Sequence, residues 1–134
     1  EIIYETYAKT INIEALTMID MAGRKYIPAV VKYSKALADT VIAVRDAGAD
    51  ASVQTQLLNA VSGKLAQAKN ALNRLETVTA QASAMKDVKA QAFFYKDSVK
   101  SAMDELRAPV DQLEMMVDKE MWPVPTYGEL TFEV

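Results

Sequence analysis

Neither cysteine nor histidine occurs anywhere in the 134 residues. Their absence excludes disulfides, thiolate and imidazole metal sites, cysteine or serine–histidine triads, and any histidine acting as acid or base. Glycine and proline are scarce at four each, and aromatic residues make up only 7%. Neither a Gly-rich phosphate loop nor a Gly-x-Ser-x-Gly elbow is present. No apolar run approaches the roughly 18 to 20 residues of a bilayer span, and no signal-peptide order of charged, apolar and small residues is found. A net charge of −3 leaves no basic footprint for nucleic acid. These gaps point to a soluble, cytoplasmic chain with neither nucleic acid nor membrane as partner. They also leave it without catalytic, cofactor-binding or metal-ligating residues of its own.

What is there favours helix. The chain is 51% hydrophobic and 25% charged, enough for one folded domain that buries about 70% of its unfolded surface without staples. About one residue in six is Ala, which loses no side-chain entropy in a helix. Tyr4, Tyr7, Ile11, Ala15, Met18 and Ala22 recur at helical spacing, followed by Gly23 and Pro28. Ile27, Val30, Ser34, Leu37, Val41 and Val44 step by threes and fours up to Gly48, a residue suited to the left-handed position after a helix. Leu58, Val61, Leu65, Ala68, Leu72, Leu75, Thr79 and Ala82 hold the same alternation for about four heptads. Val88, Ala92, Tyr95, Val99, Ala102, Leu106, Val110, Leu113 and Val117 repeat it, with Pro109 inside, where a bend is expected. The junction near Ala82 to Asp87 has no Gly or Pro, so its turn rests on Ser83 and Asp87 as caps.

The reading is an all-α fold: an elongated antiparallel bundle of three to four long helices with an extended C-terminal tail. Helices are expected over about 4–22, 27–46, 52–82 and 87–121, with an interruption near Gly23 to Pro28 and a tail over 122–134. The chain begins at Glu1 rather than Met, inside a helical pattern, as expected of a piece of a longer protein.

Three groups of residues invite a functional reading. Asp111, Glu114 and Asp118 share one helical face, where a hard cation could sit, although a solvated face is the commoner reason for such spacing. Met18, Met21, Met103, Met115, Met116 and Met121, with the tyrosines near the start and Tyr33, suit either an adaptable groove or plain core filling. The tail differs from both. Trp122, Pro123, Pro125, Tyr127 and Phe132 combine aromatic anchors with stiff prolines, which lose little entropy on docking, so they are the candidate interface with another domain or subunit. The competing reading folds that tail back over its own bundle. Residues 108–134 also hold six acidic residues against one basic.

Two blocks carry a resemblance. Lys9-Thr10-Ile11-Asn12-Ile13-Glu14-Ala15-Leu16-Thr17-Met18-Ile19-Asp20-Met21-Ala22 with Ile27-Pro28-Ala29-Val30 stands at one end. Trp122-Pro123-Val124-Pro125-Thr126-Tyr127-Gly128-Glu129-Leu130 stands at the other. Together they resemble the C-terminal region of type III glutamine synthetases, the long-chain bacterial class. The resemblance implies a parent that joins glutamate and ammonia with ATP and Mg or Mn, built as two stacked rings, with its catalytic and cofactor residues upstream of Glu1. It implies for this stretch a non-catalytic helical domain that braces the catalytic domain of the same chain and neighbouring subunits of a ring-shaped homo-oligomer. Truncation after Met121 is then expected to weaken assembly. The rival is a free-standing helical adaptor or sensor bundle that binds a partner protein.

Overall fold

The computed structural model describes residues 1–123. Among these, helix is the only regular secondary structure, arranged as three rods. The first joins α1 (Ile2–Met21) to α2 (Ile27–Asp46) through a single wide turn at Ala22–Tyr26. The second is α3 (Ser52–Ser83). The third joins α4 (Val88–Phe94) to α5 (Lys100–Met116) through a second wide turn at Tyr95–Val99. A short 3₁₀ turn, Lys119–Met121, follows.

The expected interruption near Gly23 to Pro28 is therefore corrected: the three to four long helices of the sequence reading are three rods. The backbone at Met21, Ala22 and Ile27 stays right-handed helical, and the Ile27 N–H donates to the Ala22 carbonyl, five residues back instead of four. Such a π-turn widens the helix where Pro28 would otherwise press its ring on the preceding turn and leave a carbonyl without its N–H. Gly23 does not break the rod either. In a helix glycine costs stability relative to alanine but stays helical when packing holds it there. The last predicted helix, 87–121, ends as α-helix at Met116, where Val117 turns to an extended backbone. Helix α5 continues through Pro109.

Real turns sit at the other two junctions. Gly48 takes φ +82°, a left-handed conformation that ends the first rod. The Asp50 carboxylate accepts from the Ser52 N–H at 3.0 Å and opens the second rod. At the glycine-free junction, Asp87 caps α4 by accepting from the Ala90 N–H at 2.8 Å. Gln91 reaches back, its Nε2 donating to the Ala82 carbonyl at 3.0 Å. Two side chains thus satisfy orphan groups on both sides of the turn. Ser83 is not a cap for the next helix, because its hydroxyl donates to the Ala80 carbonyl.

The direction of the rods follows from their neighbours. Asn12, Leu16 and Ile19 line one groove with Glu76, Thr79 and Ser83, and Gly23 faces Leu72. The second rod therefore runs opposite to the first. Arg74 pairs with Glu105, and Gln91 with Ala82, so the third rod runs opposite to the second. The seams read from the sequence are the core: Ile11, Ala15, Val30, Leu37, Val61, Leu72, Leu75, Val99, Leu106 and Leu113 are all buried. At about 1.5 Å per residue the first rod is about 67 Å long and the third about 43 Å. Counting from the Arg74–Glu105 pair, the third rod ends opposite about residue 63. Beyond that level the first two rods continue as a two-helix hairpin.

Candidate functional site

The candidate interface begins where the third rod returns to the first. After the 3₁₀ turn, whose Asp118 carboxylate accepts from the Glu120 N–H at 2.9 Å, the backbone becomes extended at Trp122. The Trp122 ring stacks on Tyr26, with centroids 5.1 Å apart and planes 9° from parallel. Trp122 is only 7% exposed. Its ring is thus committed to this chain. Pro123 lies with Met121 beside Arg24, Lys25, Pro28 and Lys32 of the first rod. Pro125, Tyr127 and Phe132 lie outside the described residues.

The wide turn at Ala22–Tyr26 has a part in this contact. A π-turn adds one residue to the local repeat and shifts the facing of everything after it by about a quarter of a turn. It thereby joins the seam of α1 to the seam of α2 and sets Tyr26 toward the third rod. Burial raises the Tyr26 pKa from its usual 10.0, and the Glu114 and Asp111 carboxylates add to the rise by disfavouring a phenolate. The second wide turn also carries a tyrosine. Tyr95, buried at 2% exposure, donates its hydroxyl to Asn12 Oδ1 at 3.1 Å, and burial raises its pKa too. This bond ties the third rod to the first across 83 residues of sequence. Helical spacing places Tyr95 on the seam; nothing in the spacing selects Asn12 as its partner.

Between the two tyrosines runs a groove of about 200 Å³, walled by Met18, Met21, Tyr26, Leu106, Arg107 and Val110. Arg107 donates to Asp104 at 3.1 Å and approaches the Met18 sulfur at 3.6 Å. The methionines do not form one surface. Met18 and Met21 line this groove, Met103 is buried in the core, Met116 and Met121 pack on its edge, and Met115 is exposed. Tyr4 and Tyr7 line a separate groove near the start of the first rod. Tyr33 packs against the core.

The three carboxylates do not gather. Asp118 is engaged at its own turn, while Asp111 and Glu114 face Tyr26. Among the described residues no group of three His, Cys, Asp or Glu side chains is placed to hold a metal ion.

Comparison with known proteins gives a family match over part of the chain. Residues 1–45 match the glutamine synthetase C-terminal domain. Similarity extends beyond those residues. A glutamine synthetase of Butyrivibrio fibrisolvens is 30% identical over the whole of this chain, and one of Bacteroides fragilis (strain YCH46) is 25% identical over 98% of it. A type-3 glutamine synthetase of Dictyostelium discoideum is 28% identical over 98%. Bacteria are therefore not the only source of similar chains. The chain spans 19% of the length of each of these glutamine synthetases. No helix among the described residues is long and apolar enough to cross a membrane.

Proposed function

We propose that this chain is the non-catalytic C-terminal helical domain of a type III glutamine synthetase, and that it holds the enzyme together. The parent makes glutamine from glutamate, ammonia and ATP with Mg or Mn in the cytoplasm, and its catalytic and metal-binding residues lie outside these 134 residues. The domain braces the catalytic domain of its own chain and neighbouring subunits of a ring-shaped homo-oligomer. One observation carries this reading: similarity covers the whole chain but only 19% of each relative. The type III assignment draws on the printed name of the Dictyostelium relative.

The Tyr26–Trp122 stack supports the bracing role. Stacking holds Trp122 in place on the bundle, so the residues that follow Pro123 start from a defined point. A partner that receives them gains from that pre-organisation. The cut that isolates the tail's contribution falls after Pro123, because removing Trp122 would also expose Tyr26 and unsettle the bundle.

The test starts from the native protein, captured with an antibody against this domain. A polypeptide about five times longer, forming glutamine with ATP, is the expected result. Truncation after Pro123 in that enzyme is expected to lower the oligomer mass or melting temperature before it alters the chemistry. A native chain of about this length without glutamine formation would instead support the free-standing adaptor bundle. Unchanged mass and melting temperature after truncation would remove the bracing role from the tail.

A further inference from the structure

Beyond the level where the third rod ends, the face that it covers continues along the hairpin. Arg74 faces the third rod through its 3.0 Å pair with Glu105, and Val78, one turn on, is buried. Three heptads toward the hairpin the same two positions are Val53 and Leu57, now 63% and 46% exposed. The first rod behaves alike. Ala29 is buried beside Met121 and Pro123, while Ala36 and Ala43, one and two heptads on, are exposed. A valley with small side chains on one rod and larger apolar ones on the other thus runs on past the end of the third rod. Among the described residues it lies open, and a continuous apolar face of this kind marks a contact.

We propose that residues 124–134 of this same chain fill the valley, with Leu130, Phe132 and Val134 seated against Leu57 and Val53. Four observations select this occupant. The third rod runs toward the hairpin, and Pro123 lies beside Lys25, Pro28 and Lys32, so the valley opens directly ahead of it. From Pro28 to Asp46 the first rod extends about 27 Å, and the eleven residues 124–134 span up to about 36 Å when extended. Their sequence alternates Leu130, Phe132 and Val134 with Glu129, Thr131 and Glu133, one apolar side and one polar, as a segment lying on an apolar surface requires. Residues 124–134 contain no Lys or Arg, whereas Lys32 on the first rod and Lys64 on the second, two heptads before Val78, border the valley. Trp122, held by its stack on Tyr26, tethers the segment at a millimolar-scale effective concentration over its seat. Tail and hairpin then present one joint surface to the domain or subunit being braced.

The experiment uses the native full-length protein carrying Phe132→Cys with Leu57→Cys, mildly oxidised, its disulfides mapped by mass spectrometry. The control pairs Phe132→Cys with Ser62→Cys, since Ser62 is exposed and stands two heptads before Glu76, on the flank away from the third rod. Linkage of positions 57 and 132 within one polypeptide is expected to exceed the control at least tenfold. Should Leu57→Cys give no soluble protein, Val53→Cys takes its place. Truncation after Pro123 is also expected to speed maleimide labelling of the Leu57→Cys thiol at least fivefold. Linkage no greater than the control, or labelling unchanged by truncation, overturns the proposal. So does linkage between two polypeptides, which assigns the valley to the tail of a second copy. Failure in a long, glutamine-forming enzyme overturns this seat alone. Linkage within one native chain of about 134 residues that forms no glutamine upholds the seat and overturns only the reading under Proposed function.

Discussion

The bundle where three rods pack and the hairpin where only two continue are built from the same heptad device, yet they bury it to different depths. In the three-rod part, Leu75, Leu106, Leu113 and Val99 are almost completely enclosed. Past Val61, which is still enclosed at the start of the hairpin, Leu37 and Val41 retain some exposure, Val44 and Leu58 are half-buried, and Ile42, Val53 and Leu57 face outward. Two helices can hide only the narrow stripe between them, whereas a third covers the flanks of that stripe as well. The difference teaches that a seam in the sequence states which residues face a neighbour and leaves open how many neighbours there are.

The sharpest way to break this comparison is to remove one seam leucine from each part. Leu75→Ala is expected to destabilise by about 4 kcal/mol, because close-packed walls on all sides cannot collapse into the space. Leu37→Ala, with water and flexible neighbours to fill the gap, is expected to lose about 2 kcal/mol. Urea unfolding of both variants checks this, and equal losses would mean that the hairpin is as tightly held as the bundle. Trp122→Ala is expected to destabilise by about 3 kcal/mol, through lost burial and the lost stack on Tyr26. Tyrosine fluorescence in that variant should report Tyr26 becoming accessible to an external quencher. A loss under 1 kcal/mol would place Trp122 outside the folding unit.

Much of this was legible from periodicity. Every seam position assigned from spacing, from Tyr4 to Val117, is buried or half-buried. Periodicity reports facing reliably because burial of an apolar stripe is the main source of helix stability in a protein. The rods' continuity was not legible. Gly23 with Pro28 and Gly48 look alike as punctuation, but only Gly48 leaves the helical region. What separates them is packing: α1 and α2 both lie along α3, so a wide turn at a small local cost preserves two sets of contacts that a break would lose. The functional site was less legible still. The blocks at the two ends resemble glutamine synthetases, while the partners Tyr26–Trp122 and Tyr95–Asn12 join residues whose separation no local pattern encodes.

The two glycines turn this difference into a measurement. Gly48→Ala is expected to destabilise by about 1 kcal/mol, since a Cβ at φ +82° is strained even though the space around it is open. Gly23→Ala should act in the other direction. A Cβ at Gly23 would meet Leu72 Cδ2 at 3.7 Å, an ordinary contact, on a backbone that is already helical. Alanine there lowers the entropy of the unfolded chain and adds helix propensity, so the variant is expected to gain about 0.5 kcal/mol and to unfold at slightly higher temperature. Should Gly23→Ala destabilise instead, the turn at Ala22–Tyr26 would need glycine's freedom after all. The first rod would then be jointed where the structure has it continuous.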